Sequence, residues 1–273
     1  MKARKSSACL LILVVVGLVF NGCRKTDRDK DKDTSAVMDH TLAESVFQGI
    51  YKSIGEYVDS SSYLRSVGYP VYTVDSVGTA SWPKTLTIDF GPTNVMGSDG
   101  VNRKGKIVAA FTHGYRDSLA VITISLLNYY HNDNLIQTGT HTLTNKGRNA
   151  AGNLSYAVFL QNASITNSAN QIIKWNAYRT REWIAGANTA MDASDDVYLL
   201  TGFADGTAIN GNTFNVKIDV PLHVASTCRW IEQGVLTLTA PNLSERAVDF
   251  GNGSCDAQAI VVINSDSQNI TMK

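Results

Sequence analysis

Apolar residues recur every four positions over residues 38–60 of this sequence. The series consists of Met38, Leu42, Val46, Ile50, Ile54 and Val58, and it is widened by Phe47, Tyr51 and Tyr57. This spacing places the apolar side chains on one face of an α-helix. The pattern therefore predicts one N-terminal amphipathic helix over residues 38–60, packed against the rest of the protein.

From residue 61 to residue 273 the pattern changes to short apolar segments rich in Val, Ile, Thr and aromatic residues. Gly, Asn, Asp and Ser separate these segments, which include "KTLTIDF", "GKIVAAFT" and "FNVKIDVPL". Such segments are typical of β-strands. No helical pattern lies between them, which argues against parallel β-α-β units. We predict an all-β body, an antiparallel meander that forms a β-sandwich or a strongly curled sheet, as one unit or two subdomains.

One phrase occurs twice in this body, as "TIDFGPTNVMGSDG" at 87–100 and as "VDFGNGSCD" at 248–256. Gly, Asn and Asp are the residues that tight turns require, so the phrase is interpreted first as a repeated strand-loop-strand unit. The alternative is a calcium site, because Ca²⁺ prefers carboxylate oxygens on loops. The candidate ligands are Asp89, Asp99, Asp249 and Asp256, although their spacing does not match an EF-hand.

The first residues have the organisation of a bacterial export signal. Basic residues precede an uninterrupted apolar stretch at 8–20, and the stretch ends in "FNGC", which resembles a lipobox. A stretch of this length is typical of a signal peptide. We predict a lipoprotein signal peptide over residues 1–22 and lipidation of Cys23, which would anchor the protein stably in a membrane.

The anchor is followed by a charged segment that contains "RKTDRDKDKD". Segments of this composition do not bury apolar surface, so residues 23–37 are predicted to be a flexible tether. Arg24 directly after the cysteine favours the outer membrane, on its periplasmic face or at the cell surface.

The four cysteines divide into two groups. Cys9 lies within the predicted signal peptide and Cys23 is the predicted lipidation site. Cys228 and Cys255 remain in an oxidising compartment, where pairing into a disulfide is expected. The 24 basic and 24 acidic residues balance, and the β body has no basic cluster, so nucleic acid is not an expected partner.

Several phrases resemble a group of uncharacterised Bacteroidota outer-membrane and surface lipoproteins. They are "WPKTLTIDFG", "DGVNRKGKIV", "CRWIEQGVLTLT" and "VDFGNGSCDAQAIVVIN". The resemblance implies a location and a β-rich architecture. It brings no established activity, so it assigns no catalytic residue.

Two aromatic segments are candidates for ligand binding. In "QIIKWNAYRTREW" aromatic and basic residues alternate, and "NYYHNDN" places two tyrosines near a turn. Aromatic faces beside polar groups suit sugar rings or a protein partner. The candidates are Trp175, Tyr178, Trp183, Tyr129 and Tyr130. The alternative is that the even spacing of Trp175 and Trp183 places both in the core.

Catalysis has little support in the sequence. The histidines lie in unrelated contexts and no G-x-S-x-G motif occurs. The function predicted is therefore a non-catalytic binding or structural module for glycan or protein, attached to the membrane by its lipid and needing no cofactor unless calcium binds. The alternatives are an envelope enzyme acting on polysaccharide and a fimbria-like surface subunit.

Overall fold

One helix, α1, spans Ser35–Asp59. It begins before the predicted start at residue 38, because the Asp33 side chain accepts a hydrogen bond from the Ser35 N–H at 2.8 Å and so satisfies a free donor of the first turn. This computed structural model describes residues 31–59, 68–76, 82–189 and 192–273. The predicted signal peptide, the lipidation site at Cys23 and most of the predicted tether lie outside these residues. The described residues contain no helix long and apolar enough to span a bilayer.

Fifteen strands make up the rest of the described fold. They are β1 (Val71–Ser76), β2 (Lys84–Asp89), β3 (Val95–Met96), β4 (Asn102–Phe111), β5 (Val121–His131), β6 (Asn134–Gln137), β7 (His141–Arg148), β8 (Leu154–Thr166), β9 (Ile172–Ala185), β10 (Val197–Thr207), β11 (Thr213–Ala225), β12 (Gln233–Thr239), β13 (Arg246–Asn252), β14 (Gln258–Ile263) and β15 (Asp266–Thr271). A short 3₁₀ turn at Ala193–Asp195 precedes β10.

The strands form one continuous antiparallel sheet in the order β1-β2-β4-β5-β6-β8-β9-β10-β11-β12-β13-β14-β15, with β3 beside β4 and β7 between β5 and β8. Almost every strand therefore pairs with its neighbour in sequence, as a meander does. The predicted all-β antiparallel meander is confirmed. Residues 31–273 form one compact unit, without a division into two β subdomains.

The sheet curls around α1. The ring of Tyr57 stacks on Tyr72 of β1 at 5.6 Å between centroids, and Phe47 stacks on Trp175 of β9 at 5.2 Å. His40 lies against Phe214 of β11. Because strands from distant parts of the sheet touch one helix, the sheet must bend around it. None of residues 35–58 is exposed, so α1 is an enclosed core helix and not a surface helix with one polar face.

The end of the charged segment is fixed to the body. Asp31 forms an ion pair with Arg246 of β13 at 2.7 Å and accepts a hydrogen bond from the Ser244 N–H at 2.9 Å. The Asp33 carbonyl also accepts from the Arg246 side chain. The predicted tether over residues 23–37 therefore extends too far toward the C-terminus. Asp31 and Asp33 contact Arg246 of β13, and residue 35 is already helical.

Cys228 and Cys255 form the predicted disulfide, which joins the β11–β12 connection to the β13–β14 connection across 27 residues. In the chain-entropy model a crosslink of this span stabilises a domain by roughly 3 kcal/mol. We expect the double variant Cys228→Ser/Cys255→Ser to lose about that much free energy of unfolding in urea. Wild-type protein unfolded with reductant is the matched comparison and should show the same loss. An unchanged denaturation midpoint in both would contradict the prediction.

Candidate functional site

The repeated phrase makes the same turn in both places. The Gly91 N–H donates to the Asp89 carboxylate at 2.8 Å, and the Gly251 N–H donates to the Asp249 carboxylate at 2.9 Å. The phenylalanine between each pair is buried. Both glycines have positive φ, 77° and 96°, a conformation that favours glycine. In the first copy this turn follows the end of β2 at Asp89, and in the second copy it lies within β13, where the pairing with β12 is irregular.

The second aspartate of each phrase also holds a turn. The Val101 N–H donates to Asp99 at 3.2 Å, and the Gln258 N–H donates to Asp256 at 2.8 Å. Burial alone would raise the pKa of Asp99, but the hydrogen bonds and charge of Arg103 hold it at about 2. The two copies thus differ in environment, since Asp256 is exposed.

The four predicted calcium ligands do not come together in the described ranges. The group of metal-ligating side chains found there is Cys228, Glu232 and Cys255, whose two sulfurs are joined in the disulfide. Asp89 is paired with Lys106 at 2.8 Å. Calcium binding by Asp89, Asp99, Asp249 and Asp256 stays a prediction from the sequence, without a shared site in the fold.

Three of the five predicted ligand-binding aromatic residues are core residues. Trp175, Trp183 and Tyr129 are 2%, 1% and 0% exposed. The interpretation of these three as surface ligand contacts is corrected: alternation along β9 points both tryptophans inward, as the alternative proposed. Tyr130 is half-buried on β5, with the Lys104 ammonium 4.5 Å above its ring.

A buried polar network fixes β9 against the helix. The Arg179 guanidinium lies 2.8 Å from the Glu44 carboxylate, and the Trp175 Nε1–H donates to His40 Nδ1 at 3.2 Å. Burial alone would raise the pKa of Glu44, but the Arg179 charge, His40 and hydrogen bonds from Arg179 and Gln48 hold it below its usual range. The inner face of β9 is thereby held in place, which determines what its outer face presents.

The outer face of β8, β9 and β10 presents three aromatic rings in a row, named here the aromatic platform: Phe159, Tyr178 and Phe203. The register pairs Tyr178 with both phenylalanines. Tyr178 stacks on Phe203 at 4.8 Å and meets Phe159 edge to face at 5.2 Å. Phe203 is 54% exposed. A large aromatic side chain this exposed within a stacked row is unusual for a solvated face and indicates a contact surface.

A polar groove of about 510 Å³ lies beside the platform on the same strands. Asn176 and Asp205 line it, and each lies two residues from a platform ring, so they share its face. The Asn176 amide donates to Asp205 at 2.7 Å. The groove depends on Gly206, because a Cβ there would come within 2.4 Å of the Lys174 carbonyl oxygen.

The groove is also lined by Lys174, by the aromatic side chains of Trp175 and Phe214, and by a set of amides and hydroxyls: Asn162, Ser164, Thr207, Thr213 and Asn215. Asp205 is the single carboxylate among the described residues that line the groove. Glycoside hydrolysis ordinarily uses a pair of carboxylates.

Two platform residues, Phe159 and Phe203, were missed from the sequence. Their strands alternate, so parity could have placed both outward. Phe159 and Phe203 each lie directly opposite Tyr178, in unbroken stretches of the β8–β9 and β9–β10 pairings, and this register brings the three rings together. No protein-family model, curated protein or solved structure matches this chain.

Proposed function

We propose that this chain is a lipid-anchored cell-envelope protein that binds glycan without cleaving it, through the aromatic platform and the polar groove. The observation that carries the proposal is exposed Phe203 stacked on half-buried Tyr178 beside a groove that presents several amides and hydroxyls. Aromatic faces cover the apolar face of a sugar ring, and adjacent polar groups hydrogen bond its hydroxyls.

Attachment to the envelope is supported by the sequence. The charged and apolar segments of residues 1–22, the following Cys23 and the resemblance to Bacteroidota lipoproteins favour an outer-membrane lipoprotein, on the periplasmic face or at the surface. The disulfide is consistent with an oxidising compartment. An enzyme acting on polysaccharide is less well supported, because the groove has a single carboxylate among its described residues.

The platform is tested by Phe203→Ala. Residues 31–273, which contain every described element, are titrated with short neutral oligosaccharides by calorimetry. We expect saturable binding by the wild type and about tenfold weaker binding by the variant, because one stacking face worth about 1–1.5 kcal/mol is removed.

The matched control is Ile260→Ala on β14, where the side chain is 44% exposed and away from the platform. This variant should bind as the wild type does. Equal affinity of the Phe203→Ala protein, or absence of binding by the wild type to every oligosaccharide, would contradict glycan binding at the platform.

A further inference from the structure

A second, internal site lies between α1, β4, β10 and the β11–β12 connection. The cavity there has a volume of about 40 Å³, enough for up to about three water molecules. It adjoins a larger cleft of about 290 Å³, with which it shares Lys52, Glu56, Asp99 and Arg103. A small solute entering the cleft therefore has a route to the cavity.

Cationic side chains outnumber carboxylates around the cavity. Four cationic side chains line it, Lys52, Arg103, Arg181 and Arg229, against three carboxylates, Glu56, Asp99 and Asp196. Two carboxylates already have protein donors. Asp99 accepts from the Arg103 guanidinium and from the Val101 N–H. Asp196 accepts from the Trp183 indole and the Tyr198 hydroxyl.

Several nitrogen atoms of the side chains that line the cavity have no hydrogen-bond partner among the described residues. The Nε atoms of Arg103, Arg181 and Arg229 and the Nδ1 atom of His131 find no hydrogen-bond partner within the described part of the chain. Arg103, Arg181 and His131 are 5%, 4% and 1% exposed. Arginine has only donors, so whatever completes this shell must accept hydrogen bonds. Buried polar atoms in native proteins are nearly always paired.

The other faces of these arginines are held in place. Arg181 donates to the Gln48 side chain and stacks over the Tyr198 ring at 3.6 Å. Arg229 stacks over Trp230 at 4.4 Å. Gly49 of α1 admits the Arg103 guanidinium, which would be 3.3 Å from a Cβ at that position. The cationic shell is therefore preorganised and does not depend on mobile surface side chains.

We propose that this cavity binds a small monovalent anion of the size of chloride or formate, held by Arg103, Arg181, Arg229 and His131. An anion accepts hydrogen bonds from every direction and offsets the excess positive charge of the lining. The volume excludes sugars and larger organic acids. The site is separate from the outer platform, because its residues lie on the inner side of the sheet around α1.

The test uses residues 31–273 in a buffer whose only anion is gluconate, which is too large for the cavity. Sodium chloride and, separately, sodium formate replace sodium gluconate at constant ionic strength, and the melting temperature and binding heat are recorded. We expect a saturable rise in the melting temperature and a saturable heat with at least one of the two small anions. Identical melting curves in all three salts would overturn the proposal.

The variant Arg229→Gln tests whether the anion binds in this cavity. Arg229 is half-buried, and its substitution removes a cationic donor without breaking an ion pair between described residues. The variant should fold and bind the small anion at least tenfold more weakly. Lys217→Gln, which removes an equal charge from a side chain 77% exposed on the outer face, should bind as the wild type does. Equal affinity in the wild type and the Arg229→Gln protein would contradict the assigned site.

Discussion

Lowering the pH from about 6.5 to about 4.5 is expected to destabilise the folded protein strongly, because three buried histidines resist protonation in the folded state. Burial lowers the pKa of His40 to about 4 and that of His141 to about 3. For His131, burial together with the Arg103 and Arg229 charges lowers the pKa to about 3. The unfolded histidines titrate at their ordinary pKa of 6.5.

The sign follows from proton binding. Between the lowered and the ordinary pKa values the unfolded chain binds more protons than the folded chain, so stability falls as the pH falls. Each histidine contributes about 1.4 kcal/mol per pH unit in this window, and three over two pH units approach roughly 8 kcal/mol. This is comparable to the whole stability of a typical domain, about 5–15 kcal/mol.

The variant His141→Gln tests whether the buried histidines cause the loss of stability at low pH. The Tyr51 hydroxyl and Nε2 of His141 form a hydrogen bond of 2.8 Å, and a glutamine side chain, which carries both a donor and an acceptor, can replace the imidazole in it. The free energy of unfolding is measured in urea at several pH values between about 5 and 7. Its slope against pH should be about 1.4 kcal/mol per pH unit smaller in the variant than in the wild type.

The control is His113→Gln, an exposed histidine, which should leave the slope unchanged. Asp39 and Glu56 act in the opposite direction, because burial raises the pKa of both carboxyls. The folded state binds protons there before the unfolded state does, which reduces the loss of stability as the pH falls. The comparison between the two histidine variants is independent of this offset. An unchanged slope in the His141→Gln protein would contradict the assignment.

Glu44→Gln is expected to be the most damaging single substitution among those considered. Both side chains of the Glu44–Arg179 pair are buried, at 1% and 2% exposure. Removing the carboxylate charge leaves the guanidinium charge uncompensated in the core, and breaking a buried pair from one side costs about 3–5 kcal/mol. The loss is measured as the free energy of unfolding in urea near neutral pH.

Two comparisons separate charge from packing. Glu245→Gln removes the same charge from an exposed position and should change stability by less than about 0.5 kcal/mol. The double variant Glu44→Leu/Arg179→Met removes both charges and should be more stable than Glu44→Gln, because no unpaired charge remains. A loss below about 1 kcal/mol in Glu44→Gln, or a double variant less stable than the single one, would contradict a buried pair of this kind.

Local patterns predicted much of the fold. The turn chemistry of the repeated phrase was visible in the sequence, because Asp89 and Asp249 hold their turns through a residue two positions away. Alternation placed Trp175 and Trp183 on one strand face, and both are in the core. These features depend on neighbours within a few residues, which a linear sequence displays directly.

Other features depend on contacts between distant segments. Arg179 and Arg181 share the inward parity of the β9 tryptophans, a position that usually favours apolar residues. They are tolerated there because α1 supplies Glu44 and Gln48. Phe203 meets Tyr178 only because the pairing of β9 with β10 places the two residues opposite each other. Neither relationship has a signal in the sequence near the residue itself.

The sequence by itself determined the all-β antiparallel class, the position of one helix, the Cys228–Cys255 pair and the form of the repeated turn. Each follows from residue spacing or from the chemistry of a few adjacent side chains. Only the tertiary structure decided that the sheet curls around α1, that four basic residues line an internal cavity, and that Tyr178 lies in a row of rings with exposed Phe203. The physical reason is that curvature and register are set by the packing of the whole sheet against the helix, so they belong to no single segment.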